Sequence, residues 1–179
     1  MPLINCISHK KWNRCRELNS TINKKVVLED KQNGSRAEFH ALNPLNLKYN
    51  YHQISCIFCE NTQIRLADYL ILGENDDSLF VIELKGSDYH SAQEQILNVF
   101  KNVHSYITGV IKKQFACIVL SNSPKKNITN SVSNFKKKLK NKKITLIDNL
   151  NSYKIKRGVK IYNNILSVDL NKGCVVNLI

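Results

Sequence analysis

The chain has 179 residues, of which 42% are hydrophobic and 23% are charged, a composition typical of a soluble globular protein and not of a disordered one. No apolar run approaches the length of a membrane span, and the N-terminus lacks the charged-then-apolar pattern of a signal peptide, so we predict a cytoplasmic protein with no membrane partner. A formal net charge of +13 favours nucleic acid as the partner, because each lysine placed against a phosphate releases a counterion. The alternative is that these lysines only solvate the surface of a Lys- and Asn-rich chain.

The length predicts a single domain over residues 1–179. We divide it into an N-terminal extension over 1–33, a core over about 34–121, and a C-terminal helix with edge strands over 122–179.

The N-terminal region carries weak signals. Apolar residues lie at the spacing of one face of a short helix at Trp12, Cys15 and Leu18. Residues 30–34 are rich in turn formers and predict a loop. Ser35 is placed to cap a second short helix, which carries Glu38 and ends at Pro44.

Two apolar strand-like runs at the centre of the chain are interrupted by charged residues. The first run, 66–72, contains Asp68, and the second contains Glu83 and Lys85, which share one face because side chains alternate across a strand. The segment between them, 73–78, has turn formers and no apolar residue, so it predicts an antiparallel hairpin that brings Asp68 across from Glu83. Two adjacent carboxylates are costly to bury without a cation, and oxygen ligands with open positions favour Mg²⁺ or Mn²⁺.

The remaining elements surround this hairpin. Apolar residues at helical spacing predict a long helix from Tyr89 to Val110 and another over 125–140. A buried strand over 115–121 returns parallel to the Glu83 strand through the first helix. Further strands are predicted over 53–60 and 144–147, and the alternation in 155–179 predicts one or two antiparallel edge strands. The predicted fold class is α/β, a mixed central β-sheet flanked by helices.

These residues form a pattern that resembles the core of the PD-(D/E)XK nuclease superfamily. Asp68 is followed, after fourteen residues, by Glu83-Leu84-Lys85, and the next helix carries Gln95. Glu38 stands where the family has an acidic residue on a helix before the first strand, and Ala67 replaces the proline of the motif. The resemblance covers roughly Gly34 to Ser121 and implies a restriction-endonuclease-like αβββαβ core.

The resemblance implies a metal-dependent nuclease that hydrolyses phosphodiester bonds. It favours DNA over RNA as the substrate, and a role in defence, mobile elements or repair. Mg²⁺ or Mn²⁺ would be held by Asp68, Glu83, the backbone carbonyl of Leu84, and Glu38. The resemblance gives Lys85 the role of orienting the attacking water or stabilising charge on the phosphoryl oxygens. It gives Gln95 a contact with a metal-bound water or the substrate phosphate. A homodimer or a larger complex is an open alternative to a monomer.

Other interpretations of the same features stay open. The fold can equally serve a non-enzymatic module that binds nucleic acid or a partner protein, and Glu83 with Lys85 can be an ordinary ion pair on an edge strand. Four residues have the spacing of a structural Zn²⁺ site, namely Cys6, His9, Cys56 and Cys59. We do not favour zinc, because the two later cysteines lie within an apolar strand pattern and would point to opposite faces, and cysteine is readily buried. The lysine cluster over 136–143 is either a phosphate-binding surface or the solvated face of a helix.

Overall fold

A computed structural model of the chain describes residues 3–4, 15–32, 35–54, 56–59, 62–102, 107–124 and 128–176. Over these residues the protein is built mostly from mixed β-sheets, with two helices, which confirms the predicted α/β class. The helices are α1 (Tyr89–Asn102) and α2 (Thr129–Asn141). The strands in chain order are β1 (Leu3–Ile4), β2 (Cys15–Thr21), β3 (Lys25–Gln32), β4 (Ser35–Leu42), β5 (Tyr49–Ile54), β6 (Cys56–Cys59), β7 (Thr62–Arg65), β8 (Tyr69–Gly73), β9 (Ser78–Lys85), β10 (Ile107–Thr108), β11 (Lys113–Leu120), β12 (Ile144–Asp148), β13 (Tyr153–Lys156), β14 (Val159–Tyr162), β15 (Ile165–Asp169) and β16 (Cys174–Val175).

The central sheet has the strand order β12-β11-β9-β8-β5-β2 over the described residues. Strands β9, β11 and β12 run parallel to one another, whereas β8 pairs antiparallel with β9. Strand β11 is buried from Phe115 to Leu120, as expected for a parallel strand covered on both faces. The predicted hairpin before α1 and the predicted parallel strand after it are therefore confirmed.

The central sheet lies between a helical layer and a second sheet. On one face, α1 and α2 pack against β8, β9 and β11 through a core that includes Ile96 and Phe135. On the other face lies the second sheet, with the order β16-β15-β4-β3 over the described residues. Phe39 of β4 belongs to the core between the sheets, where the rings of Phe80 and Phe115 stack with centroids 4.5 Å apart.

The predicted short helices of the N-terminal region are wrong. Cys15 and Leu18 lie on strand β2, and Trp12 falls outside the described residues. Glu38 lies on strand β4, which pairs along its length with β3 in a hairpin, so Ser35 begins a strand and caps no helix. The physical reason is the burial of alternate residues, since Ala37, Phe39 and Ala41 all face the core between the sheets.

Three boundaries also differ from the predictions. Helix α1 ends at Asn102, and Ile107 lies on strand β10, so the apolar spacing that continues to Val110 does not mark one helix. The predicted strand over 53–60 is divided between β5 and β6, and β6 pairs with β7 in a hairpin. Residues 165–169 are not an edge strand: β15 lies between β16 and β4 and runs parallel to β4.

One buried asparagine joins the end of the central sheet to the chain that follows it. Asn149 is 1% exposed, and its side chain accepts a hydrogen bond from the backbone N–H of Leu120 and donates to the carbonyl of the same residue, both at 2.9 Å. Its amide also donates to the carbonyl of Asn163 at 2.8 Å, and the Tyr162 hydroxyl donates to its oxygen at 3.0 Å. Beyond the last residue of β12, the Asn149 side chain thus takes the place of a strand residue as the hydrogen-bonding partner of Leu120.

We predict that Asn149→Ala lowers the free energy of unfolding by about 2 to 3 kcal/mol, because the change leaves buried backbone groups without partners. Urea denaturation followed by circular dichroism measures this loss. The control is Asn151→Ala, at an exposed position two residues on, for which we expect a change within about 0.5 kcal/mol. Equal effects of the two substitutions would contradict the structural role of Asn149.

Candidate active site

The β8–β9 hairpin brings the two central carboxylates together. Tyr69 pairs with Ile82, so the preceding residue, Asp68, lies beside the next residue of β9, Glu83. The neighbouring residues Leu70 and Val81 face the core beneath α1, and alternation places Asp68 and Glu83 on the same face. The predicted meeting of these carboxylates is confirmed, although Asp68 immediately precedes the strand and does not lie within it.

Helix α1 completes the cluster through Gln95. Lys85 Nζ donates to Gln95 Oε1 at 2.5 Å and lies 2.9 Å from Glu83 Oε1. The Gln95 amide donates to the carbonyl of Leu66 at 2.8 Å, and the Ser91 hydroxyl donates to Gln95 Oε1 at 3.1 Å. Gln95 is therefore fixed at both ends of its amide, and it fixes the lysine ammonium in turn. We call Asp68, Glu83, Lys85 and Gln95 the carboxylate cluster.

The two carboxylates differ in their access to partners. Glu83 is fully buried, and neither of its oxygens accepts a well-formed hydrogen bond, although Lys85 Nζ lies 2.9 Å from Oε1. Asp68 Oδ2 accepts the backbone N–H of Leu84 at 2.8 Å. Lys85 reaches solvent with 25% of its side chain exposed. Glu83 is thus the buried end of the cluster, and Lys85 is the end that reaches solvent.

Burial makes both acids hard to ionise. It raises the pKa of Glu83 to about 9, with the Asp68 charge as the next cause, and the nearby Lys85 ammonium opposes the shift. Burial also raises the pKa of Asp68 to about 6, opposed chiefly by the Leu84 N–H. A protonated Glu83 can donate to Asp68, so the pair shares one proton near neutral pH.

Sequence reasoning missed a third acid, Asp30. It lies on β3 opposite Ala37, on the same strand face as the buried Leu28. The charge of Asp30 raises the pKa of both Asp68 and Tyr69, so Asp30 acts electrostatically on the carboxylate cluster. The available signal was the Asn-Gly pair at 33–34 between two alternating runs, which favours a two-residue β-hairpin turn.

The structure does not bring Glu38 to the other predicted site residues. Its carboxylate pairs with Arg36 Nε at 3.0 Å and with His40 Nε2 at 2.8 Å, on the face of β4 opposite Ala37 and Phe39. Because those two residues pack toward the central sheet, Glu38 faces away from it.

Whether these residues suit a divalent metal ion follows from the donor atoms. Among the described residues, no group of three His, Cys, Asp or Glu side chains is arranged to hold a metal ion. Asp68 and Glu83 nevertheless supply two close carboxylates, and Glu83 has Lys85 Nζ 2.9 Å from Oε1 as its cationic neighbour. The Leu84 carbonyl leaves β9 on the same side as its N–H, toward Asp68. This set fits Mg²⁺, which commonly binds one or two carboxylates and keeps several waters.

The zinc site, an alternative that we do not favour, is not tested by the described residues. Cys6 and His9 lie outside the described residues, and Cys56 and Cys59 are described only as the two ends of strand β6.

No family model, curated protein or solved structure matches this chain. Within the part of the chain that the structure describes, no helix is long and apolar enough to cross a membrane.

We predict that Glu83→Gln changes the pH dependence of stability in EDTA. A raised native pKa means that the folded protein holds its proton while the unfolded chain releases it, so the contribution of Glu83 is complete below about pH 4 and is lost as pH rises toward about 9. Relative to the parent, the free energy of unfolding of the variant should rise by up to about 1.4 kcal/mol per pH unit across this window. Chemical denaturation at a series of pH values tests this, and Glu94→Gln, at an exposed position of α1, is the control. Parallel curves for parent and Glu83→Gln would refute the shared-proton description.

Proposed function

We propose that the protein is a nuclease that hydrolyses phosphodiester bonds with Mg²⁺ or Mn²⁺. We favour DNA over RNA as its substrate. The observation that carries this proposal is the fully buried Glu83 beside the partly buried Asp68, with Lys85 held next to them at the end of a strand. An antiparallel hairpin, a helix and a parallel strand follow one another around this pair. That order supports a restriction-endonuclease-like core of the kind implied by the sequence resemblance.

Asp68, Glu83 and the Leu84 carbonyl would hold the cation. When bound, the cation supplies positive charge at the phosphate and lowers the pKa of a coordinated water. Binding requires the carboxylates to release their shared proton, so affinity for the cation rises with pH. Burial of Glu83 keeps this carboxylate in place and away from competing water.

Lys85 is the member of the cluster that reaches solvent, and the buried Gln95 holds it in place. The Lys85 ammonium, held by Glu83 and Gln95, is placed to stabilise negative charge that develops on the phosphoryl oxygens. Gln95 is a positioning residue here, because its amide is used by Lys85, Ser91 and the Leu66 carbonyl.

The charge of the chain supports a polyanionic substrate. Helix α2 packs through Phe135 and Leu139 and exposes its lysines. This arrangement fits both a solvated helix face and a surface that attracts phosphates. A net charge of +13 attracts nucleic acid over a long range at low salt. A defence, mobile-element or repair context is consistent with a small nuclease but rests on the sequence resemblance alone.

We predict that Asp68→Asn and Glu83→Gln each reduce cleavage about a hundredfold or more, and that Lys85→Ala has a similar effect, because each removes charge at the reacting phosphate. Gln95→Ala should reduce it about 10- to 100-fold by releasing the lysine. The measurement is cleavage of linear, circular and single-stranded DNA and of RNA, in Mg²⁺, Mn²⁺ or EDTA.

The matched control is Glu94→Gln, which removes an exposed carboxylate from the residue adjacent to Gln95. It should cleave at the parental rate. Cleavage that persists in EDTA, or in the Asp68 and Glu83 variants, would exclude the proposed site. Binding of nucleic acid without cleavage in any metal would favour the non-enzymatic module instead.

A further inference from the structure

A β-hairpin outside the carboxylate cluster belongs to neither of the two larger sheets, although Tyr162 at its base packs against the core beneath the helices. Strands β13 and β14 form a two-stranded sheet of their own, in which Lys156 pairs with Val159. The two loop residues between them, Arg157 and Gly158, have φ of 51° and 78°, the left-handed conformations of a tight type I′ turn. We call residues 153–162 the hairpin arm.

The arm begins at the carboxyl ends of the parallel strands, where the carboxylate cluster also lies. It follows the end of β12, and the buried Asn149 ties its base to Leu120 at the end of β11. Ser152 and Asn163 close the base, with the Asn163 N–H donating to the Ser152 carbonyl at 2.9 Å. Lys85 ends the neighbouring parallel strand β9. Two strand spacings, or roughly 10 Å, separate β9 from β12.

The composition of the arm is strongly one-sided. Its ten residues include four basic and no acidic ones. Lys156, Arg157 and Lys160 are exposed, and the Lys160 ammonium lies 4.2 Å from the centre of the Tyr153 ring. Cations without acidic neighbours form no ion pairs within the arm, so they remain available to an anionic partner.

The arm also exposes apolar side chains beside these cations. Ile155 is 80% exposed and Val159 is 61% exposed, on the two strands near the turn. Exposed aliphatic residues among cations suit a partner that offers both phosphates and apolar sugar or base surface.

We propose that the hairpin arm enters the major groove of duplex DNA and holds the duplex against the carboxylate cluster. The major groove of B-DNA, about 12 Å wide, admits a two-stranded β-ribbon, whereas that of A-form RNA is too deep and narrow for protein side chains to read. Lys156, Arg157 and Lys160 contact the phosphates that flank the groove, and Ile155, which shares a face of the hairpin with Lys160, contacts its floor. The delivery of DNA to the cluster rests on the proposed nuclease function, but binding by the arm does not.

The test is the salt dependence of binding to labelled duplex DNA, duplex RNA and single-stranded DNA of equal length. All proteins carry Glu83→Gln and are measured in EDTA, so that cleavage does not interfere. The arm variant combines Lys156→Ala, Arg157→Asn and Lys160→Ala, with Asn chosen because it tolerates the left-handed conformation. The control combines Lys137→Ala, Lys140→Ala and Lys142→Ala, which removes the same charge from exposed positions of α2 and the turn after it. These positions precede the start of β12, at the opposite end of the parallel strands.

We expect the arm variant to lose about tenfold or more in affinity for duplex DNA and about 3 units of the salt slope, roughly one for each phosphate contact. The control should lose much less of both, because exposed charges beyond a Debye length are screened. The parent should bind duplex DNA more tightly than duplex RNA. Equal losses in the two variants, equal affinity for the two duplexes, stronger binding to single strands, or no binding by the parent would each overturn the proposal.

Cleavage by the protein with an intact Glu83 separates this proposal from the proposed function. Arm-dependent binding without cleavage in any metal would support the arm and refute the nuclease. Metal-dependent cleavage with the parental KM in the arm variant would support the nuclease and refute the arm.

Discussion

The site depends on the burial of one glutamate. Glu83 is shielded from water on a strand that is covered on both faces, where an isolated carboxylate is very unfavourable. Two features reduce this penalty, because Lys85 Nζ lies 2.9 Å from one oxygen and burial raises the pKa of Glu83, which favours its neutral form. As placed in the structure, the Glu83 oxygens accept no well-formed hydrogen bond. A buried acid left in this state is an expected feature of a functional site, because stability alone favours an apolar residue at such a position.

The meeting of Asp68 and Glu83 requires one register of the β8–β9 hairpin. Both faces of this hairpin are buried, with Leu70 and Val81 packed beneath α1 and Ile71 and Ile82 packed against the second sheet. A slip of one residue exchanges the two faces and exposes each core to side chains of the wrong shape. The two apolar cores therefore fix the register of the hairpin, and the register in turn fixes the positions of the two carboxylates.

Local patterns predicted the centre of the chain and failed at both ends for a physical reason. The central hairpin, α1 and β11 are consecutive, so turn formers and apolar periodicity describe their contacts. Strand β15 pairs with β4, more than one hundred residues earlier, and local alternation does not reveal such a partner. Glu38 was assigned to a helix because Ser35 is a good cap, although Ala37, Phe39 and Ala41 alternate as in a strand. Asp30 was missed with the same hairpin, since its importance depends on how the two sheets pack.

The direction of the parallel strands explains why the carboxylate cluster and the base of the hairpin arm lie at the same ends of the strands. Strands β9, β11 and β12 all end there, and the chain must leave the sheet after each of them. After β9 the chain turns into α1, which returns Gln95 to the cluster, and after β12 it forms the hairpin arm. Loops at the carboxyl ends of parallel strands are free to vary without disturbing the core, which is why α/β proteins commonly bind ligands at this edge. Asn149 joins the two parts, because the residue that satisfies the end of β11 also anchors the arm. A position for the arm beside the carboxylate cluster is therefore a consequence of the sheet topology and needs no separate coincidence.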